Sequence, residues 1–246
     1  KFFCRLYSNT LKITMKILIA VSQRSDANKH NRLIDNLENK YIEYLERFGI
    51  YTIAIPNSTH NILEYFKLPI KGVVLTGGND VDPALYGGIA QKCSSVSSKR
   101  DYTEKKILEI AIESRLPVLG ICRGMQFINV YFGGSLSQGL SKDNQSSSHV
   151  AGTHLVNLTD QRLIDSLGRN SFTVNSFHER VVTPSNLSYQ LNTFVEAEDG
   201  VIEGLYHPDY PIFGIQWHPE RESADTNLDD FLMKSFCQGK SFWRDM

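Results

Sequence analysis

Leu116-Pro117-Val118-Leu119-Gly120-Ile121-Cys122-Arg123-Gly124-Met125-Gln126-Phe127-Ile128-Asn129-Val130 changes its period in the middle. Up to Ile121 it is a short apolar run of the kind that fills a buried parallel strand. Beyond it Met125, Phe127, Ile128 and Val130 are spaced for a helix face. Cys122 therefore falls on a strand-to-helix turn. Glycines two residues to either side remove side chains that would collide where helix and strand cross closely. This is the nucleophile-elbow pattern, which lifts the sulfur to a helix N-terminus, where partial positive charge favours a thiolate. Taken alone, the same letters describe equally well an inert cysteine buried in a glycine-bounded turn.

Two further stretches bear on that choice. Ile212-Phe213-Gly214-Ile215 is an apolar strand that runs into Gln216-Trp217-His218-Pro219-Glu220. Pro219 keeps His218 out of the helical region, and residues two apart in an extended chain project to the same side. Glu220 is thus placed to fix the tautomer of His218 and to stabilise the imidazolium formed when that ring takes a proton from a thiol. An isolated His-Pro-Glu is also an ordinary surface turn. In Gly72-Val73-Val74-Leu75-Thr76-Gly77-Gly78-Asn79-Asp80-Val81-Asp82-Pro83 a strand runs into paired glycines, where backbone N–H groups can point at a ligand unobstructed. The negative oxygen of a tetrahedral intermediate needs two such donors, and the N–H groups of Gly78 and Arg123 are the expected pair. The alternative is a plain strand-to-loop turn with Asn79, Asp80 and Asp82 as polar loop residues. The order Cys122, His218, Glu220 gives the stretches weight together that none has alone.

Around them, strands at 16–22, 50–55, 72–76 and 117–121 alternate with helices at 31–48, 60–67, 101–115 and 123–132. That rhythm predicts an α/β fold, a mostly parallel central sheet with helices on both faces. In the helix over 31–48, Leu33, Leu37, Tyr41, Tyr44, Leu45 and Phe48 share one side and Gly49 ends it. Cys122 then lies at a strand's C-terminal end, where open α/β sheets bind ligands. From about residue 171 the segments 172–175, 181–182, 189–191, 194–197, 201–205 and 212–215 predict C-terminal antiparallel additions, and a last helix covers 226–237. Residues 89–99 and 141–148 read as polar loops. Residues 1–14 are expected to be an N-terminal extension, with a short edge element as the alternative, and 15–246 to form a single domain.

A chain of 246 residues with 41% hydrophobic content can bury one sizeable core. A net charge of −1 lacks the basic excess that non-specific binding to nucleic acid or to a membrane surface needs. No apolar run approaches the roughly 20 residues that cross a bilayer. Cysteines 4, 93, 122 and 237 have neither paired disulfide spacing nor zinc-ligand spacing, which points to a reducing cytoplasm. His149 and His154 have no acidic or cysteine set nearby in sequence, so no metal is expected, and no cofactor.

Thr76-Gly77-Gly78, Gly120 to Gln126 and Trp217-His218-Pro219-Glu220 resemble the three signatures of the class I glutamine amidotransferase-like superfamily. Gly77 to Pro83 with Tyr86-Gly87-Gly88, then Arg100-Asp101, Glu104, Asn175-Ser176-Phe177-His178 and Asp199-Gly200-Val201-Ile202-Glu203, resemble its γ-glutamyl hydrolase branch, the peptidase C26 type. The likeness runs over about residues 16 to 237. It implies the flavodoxin-like fold of those amidotransferases. It also implies cysteine-dependent hydrolysis of the γ-glutamyl amide bond of a small conjugate, releasing glutamate through a glutamyl thioester. A γ-glutamyl-CDP-amidate is the narrowest substrate it suggests. By the same resemblance Gln126, Ser176, Phe177 and His178 hold the glutamyl head group. Otherwise Gln126 caps neighbouring backbone and His178 is a core or loop histidine. Arg24, Arg180 and Arg221 are candidates for a phosphate-bearing leaving group, or are solvated surface arginines. Arg100 pairs with Glu104 on the surface, or touches substrate. The expected partner is a small-molecule γ-glutamyl substrate, with no nucleic acid polymer and no membrane, and a homodimer is left open. The rival reading is a glutaminase subunit delivering ammonia to a separate synthetase.

Overall fold

The computed structural model describes residues 17–90, 93, 95–138, 152–222 and 225–244. The N-terminal extension, the polar loop 141–148 and His149 lie outside them. The first half follows the expected rhythm: β1 (Ile17–Ser22), β2 (Arg24–Ala27), β3 (Leu33–Asn36), α1 (Asn39–Glu46), β4 (Ile50–Ile55), α2 (Ile62–Tyr65), β5 (Ile70–Leu75), α3 (Ser98–Glu113), β6 (Val118–Ile121) and α4 (Arg123–Tyr131). After them come β7 (Ser137–Gln138), β8 (Gly152–Leu158), α5 (Gln161–Leu167), β9 (Ser171–Ser176), β10 (Arg180–Val181), β11 (Asn192–Ala197), β12 (Ile202–Tyr206), β13 (Ile212–Ile215) and α6 (Asn227–Cys237).

Nine strands form one sheet in the order β4-β1-β5-β6-β13-β12-β11-β8-β9. From β4 to β13 every pairing is parallel. From β13 to β9 every pairing is antiparallel. Alternation along the central strands sorts the core by face. Ile19, Val21, Val74, Leu119 and Ile121 pack with Tyr44 and Leu45 of α1 and Leu232 and Phe236 of α6. Ala20, Val73, Leu75 and Val118 pack with Ile107 and Leu108 of α3 and Met125 and Ile128 of α4. Helices thus cover both faces, which parallel strands require because neither face can be left to water.

Three expectations are corrected. The helix over 31–48 is shorter, because residues 33–36 are β3, paired antiparallel with β2. The Asn28 side chain accepts from the N–H groups of His30 and Arg32, and Asn31 takes a positive φ of 55°, which closes a hairpin where a helix was expected. Leu33 is accordingly 61% exposed. Residues 189–191 are a turn, in which the Ser188 hydroxyl accepts from Gln190 N–H and the Ser188 carbonyl accepts from Leu191 N–H. Helix α3 starts ahead of residue 101 because the Ser97 hydroxyl caps Arg100 N–H. Strand β8 and helix α5 had no counterpart in the expected pattern.

Candidate active site

At the C-terminal end of β6 the chain turns sharply into α4, and Cys122 takes φ 52° and ψ −106°. For a residue with a Cβ this is sparsely populated backbone, of order 1–3 kcal/mol of strain that the surroundings must hold. They do so tightly. The Cys122 N–H donates to the Ile215 carbonyl at 2.8 Å, and its carbonyl accepts from Gln126 N–H at 3.1 Å. A Cβ on Gly120 would lie 2.6 Å from the Gly124 carbonyl carbon, and one on Gly124 would lie 2.2 Å from the Leu75 carbonyl oxygen. Both glycines are there because backbone passes backbone at contact distance.

Strand β13 lies beside β6 in parallel, with Ile215 opposite Ile121. Cys122 and His218 therefore leave the sheet at the same end of neighbouring strands. Asn175 clasps the loop carrying His218: its Oδ1 accepts from His218 N–H at 2.9 Å, and its Nδ2 donates to the carbonyls of His218 at 2.8 Å and Glu222 at 3.1 Å. The imidazole Nδ1 lies 2.6 Å from Glu220 Oε1, and both side chains are buried. Phe177 sets its ring edge-on to the imidazole at 5.9 Å. His218 and Cys122 converge on Gly77, where a Cβ would lie 2.9 Å from His218 Cε1 and 3.6 Å from Cys122 Cβ. Burial pulls the His218 pKa down. Electrostatic attraction to Cys122, followed by that to Glu220 on Nδ1, outweighs burial and pushes it up to about 10.

The loop after β5 completes the arrangement. Gly77 N–H donates to the Tyr41 hydroxyl at 2.9 Å, and that hydroxyl also faces the Glu220 carboxylate. Gly77 N–H is thereby occupied, and the next amide belongs to Gly78, whose φ of 119° is open to glycine alone at low cost. Arg100 fastens this loop from below. Its Nη2 donates to the Thr76 carbonyl at 2.7 Å, its Nη1 to Asn79 Oδ1 at 3.3 Å, and its Nε to Glu104 Oε1 at 2.8 Å. Glu104 Oε2 and Asp101 Oδ1 receive the guanidinium of Arg123. The expected surface pair Arg100–Glu104 is corrected: both side chains are fully buried. Burial raises the Glu104 carboxyl, but Arg123 and Arg100 overrule it and hold it below its ordinary range. One ionic network thus joins the Gly78 loop to the first residue of α4.

The residues expected around the glutamyl group are tied to different neighbours. Gln126 is buried, and its amide nitrogen donates to the Arg180 carbonyl at 3.0 Å and Gln216 Oε1 at 3.2 Å. Ser176 is buried, whereas Phe177 is 43% exposed. His178 points its Nε2 at Glu203 Oε1 from 3.5 Å, and His154 approaches the same oxygen at 3.4 Å. His154 has no acidic set beside it in sequence, and in the fold β12 carries the single carboxylate of Glu203 to it across the sheet. Burial raises the Glu203 carboxyl, but the two histidines bring it down to about 2. Among the described residues no group of three or more His, Cys, Asp or Glu is placed to hold a metal ion, and no helix is long and apolar enough to cross a membrane. Arg180 turns to Asp80 at 3.6 Å, while Arg24 and Arg221 line a cavity of about 330 Å³ beside Gly78 and His218. Tyr41 went unrecognised as a site residue because on a helix its spacing marks it only as core.

The chain is similar to known proteins. The peptidase C26 family model aligns with residues 16–220. The chain is 34% identical to a γ-glutamyl-CDP-amidate hydrolase of Campylobacter jejuni over 71% of this chain and 74% of that protein. It is 29% identical to the γ-glutamyl-γ-aminobutyrate hydrolase PuuD of Escherichia coli K12 over 82% of this chain and 86% of that one. The crystal structure of a glutamine amidotransferase from Thermotoga maritima superposes with a TM-score of 0.55 at 16% identity, covering 83% of this chain and 76% of that chain, a likeness of fold. The chain belongs to the peptidase C26 family, within the class I glutamine amidotransferase-like proteins.

Proposed function

We propose that the protein hydrolyses the γ-glutamyl amide bond of a small γ-glutamyl conjugate through a Cys122 thioester, with His218 as base and acid and Glu220 as its orienter. The carrying observation is the strained Cys122 at the end of β6 facing, across Gly77, an imidazole at the end of β13 whose Nδ1 lies 2.6 Å from Glu220. Cys122 sulfur attacks the γ-carbonyl carbon. The negative charge moves to the carbonyl oxygen, toward the N–H groups of Gly78 and Arg123. Collapse of that intermediate breaks the C–N bond as His218 hands its proton to the leaving nitrogen. Water, deprotonated by the same ring, then cleaves the thioester to glutamate and restores the thiol. General acid–base help of this kind is worth about 10²–10⁴-fold, and each oxyanion donor about 10²–10³-fold.

The relatives' names support γ-glutamyl conjugates as substrates, a γ-glutamyl-CDP-amidate being the narrowest form. The test is glutamate release from γ-glutamyl-γ-aminobutyrate, a γ-glutamyl nucleotide amidate, folate polyglutamate and free glutamine, by wild type and Cys122→Ala. Release from one or more conjugates, abolished in the folded variant, is expected. Hydrolysis of free glutamine alone, and only with an added synthetase partner, overturns the reading.

A further inference from the structure

The β2–β3 hairpin takes no part in the chemistry above, yet it is fastened to the loop that carries Gly78. Buried Asn79 accepts from Ser25 N–H at 3.1 Å and donates to the Ser25 carbonyl at 3.0 Å and to Asp26 Oδ1 at 3.2 Å. From this anchored strand Arg24 leans across the loop. Its Cδ and Cγ lie 3.0 and 3.1 Å from the place a Cβ on Gly78 would take. Asp26 Oδ2 holds its Nε at 2.7 Å. A second guanidinium lines the same cavity: Arg221, held by Glu38 Oε2 at 3.2 Å and stacked on Phe177 at 4.7 Å. In both cases a carboxylate orients the arginine, and the arginine is only partly exposed, 48% for Arg24 and 32% for Arg221.

Resting on the γ-glutamyl hydrolase reading, the leaving nitrogen takes its proton from His218, so the leaving group must extend into space that His218 lines. The cavity with the two arginines is such a space, since His218, Gly77 and Gly78 line it. We propose that it is a leaving-group subsite in which Arg24 and Arg221 select γ-glutamyl conjugates whose released amine bears an anion, a carboxylate or a phosphate. A guanidinium matches either anion through paired N–H donors, and such charge-assisted bonds are about twice as strong as neutral ones.

The experiment compares kcat/KM for γ-glutamylpropylamide, γ-glutamyl-β-alanine and γ-glutamyl-O-phosphoethanolamine. Wild type should favour at least one anionic conjugate over the neutral amide by about tenfold or more, the scale of one charge-assisted hydrogen bond. The faster of the two names the anion. Arg24→Gln and Arg221→Gln should each shrink that ratio at least about threefold, and the double variant should bring it near one. Arg32→Gln, the same charge change at an exposed hairpin position outside the cavity, should leave the ratio where it was. Hydrolysis of all three substrates at similar rates, or a ratio unmoved in both Gln variants, overturns the subsite while leaving the hydrolase intact. No hydrolysis of any of the three, with the fold intact by circular dichroism, removes the hydrolase reading and the subsite with it.

Discussion

Replacing Arg100 by leucine should cost about 3 kcal/mol of stability and most of the activity. Arg100 is fully buried and holds the Thr76 carbonyl, Asn79 Oδ1 and one oxygen of Glu104. Removing one partner of a buried ion pair typically costs about 3–5 kcal/mol, and an orphaned buried acceptor about 1–3 kcal/mol. Glu104 keeps Arg123 as a partner, so its charge is not abandoned, and the low end of the first range applies. With a urea slope of about 1–3 kcal/mol/M, the midpoint followed by far-ultraviolet circular dichroism should fall by about 1 M or more at unchanged slope. The same loss frees the loop that carries Gly78. Because one oxyanion donor is worth up to about 10²–10³-fold, kcat should drop by tenfold or more with KM moving less. Arg100→Lys returns the charge without the planar fork that spans Thr76, Asn79 and Glu104, and should recover stability better than kcat. A loss below about 1 kcal/mol in Arg100→Leu, or full recovery of kcat by lysine, would refute the argument that this fork positions the loop.

Two further outcomes follow from the same geometry. Gly124→Ala would put a Cβ 2.2 Å from the Leu75 carbonyl oxygen, a backbone atom that cannot rotate away. Overpacking against a fixed neighbour should cost about 3 kcal/mol, lowering Tm by about 6–12 °C in calorimetry, and an unchanged Tm would contradict the close crossing. The His218 pKa is raised from 6.5 to about 10, so its stabilising contribution is complete below pH 6.5 and is lost as pH rises through about 10. Tm should therefore fall across that window in wild type and fall less in Cys122→Ala, which lacks the thiolate partner. Parallel pH profiles for the two proteins would show that Cys122 does not hold the imidazolium.

The elbow and the His218–Glu220 pair were legible because their geometry is local. A strand, a turn and a helix follow one another within 15 residues, and a proline fixes the backbone that sets Glu220 beside His218. The hairpin was not. Leu33 and Leu37 happen to continue the helical spacing of Tyr41, Tyr44 and Leu45, and only the Asn28–Asn31 turn breaks it. The Arg100–Glu104 pair illustrates a second limit, since an ion pair four residues apart on a helix looks the same in sequence on a surface or in a core. What buries it is Thr76 and Arg123, 24 residues before Arg100 and 23 after it. Tyr41 and the histidines around Glu203 are likewise assembled by contacts between distant strands and helices, to which no local period is sensitive.

The pairing of Ile121 with Ile215 has an architectural consequence. Sliding β13 by one residue would displace His218 by about 3.3 Å and reverse which side of the sheet its side chain faces. The ladder rather than the intervening chain therefore sets the spacing between sulfur and imidazole. Everything from Phe132 to Pro211 forms a detour that departs from one rail and returns to its neighbour. Lengthening or trimming the loops of that detour outside β12 and the Asn175–Phe177 segment leaves the two rails aligned, so those loops are the part of the fold free to be rebuilt around new substrates while Cys122 and His218 keep their distance.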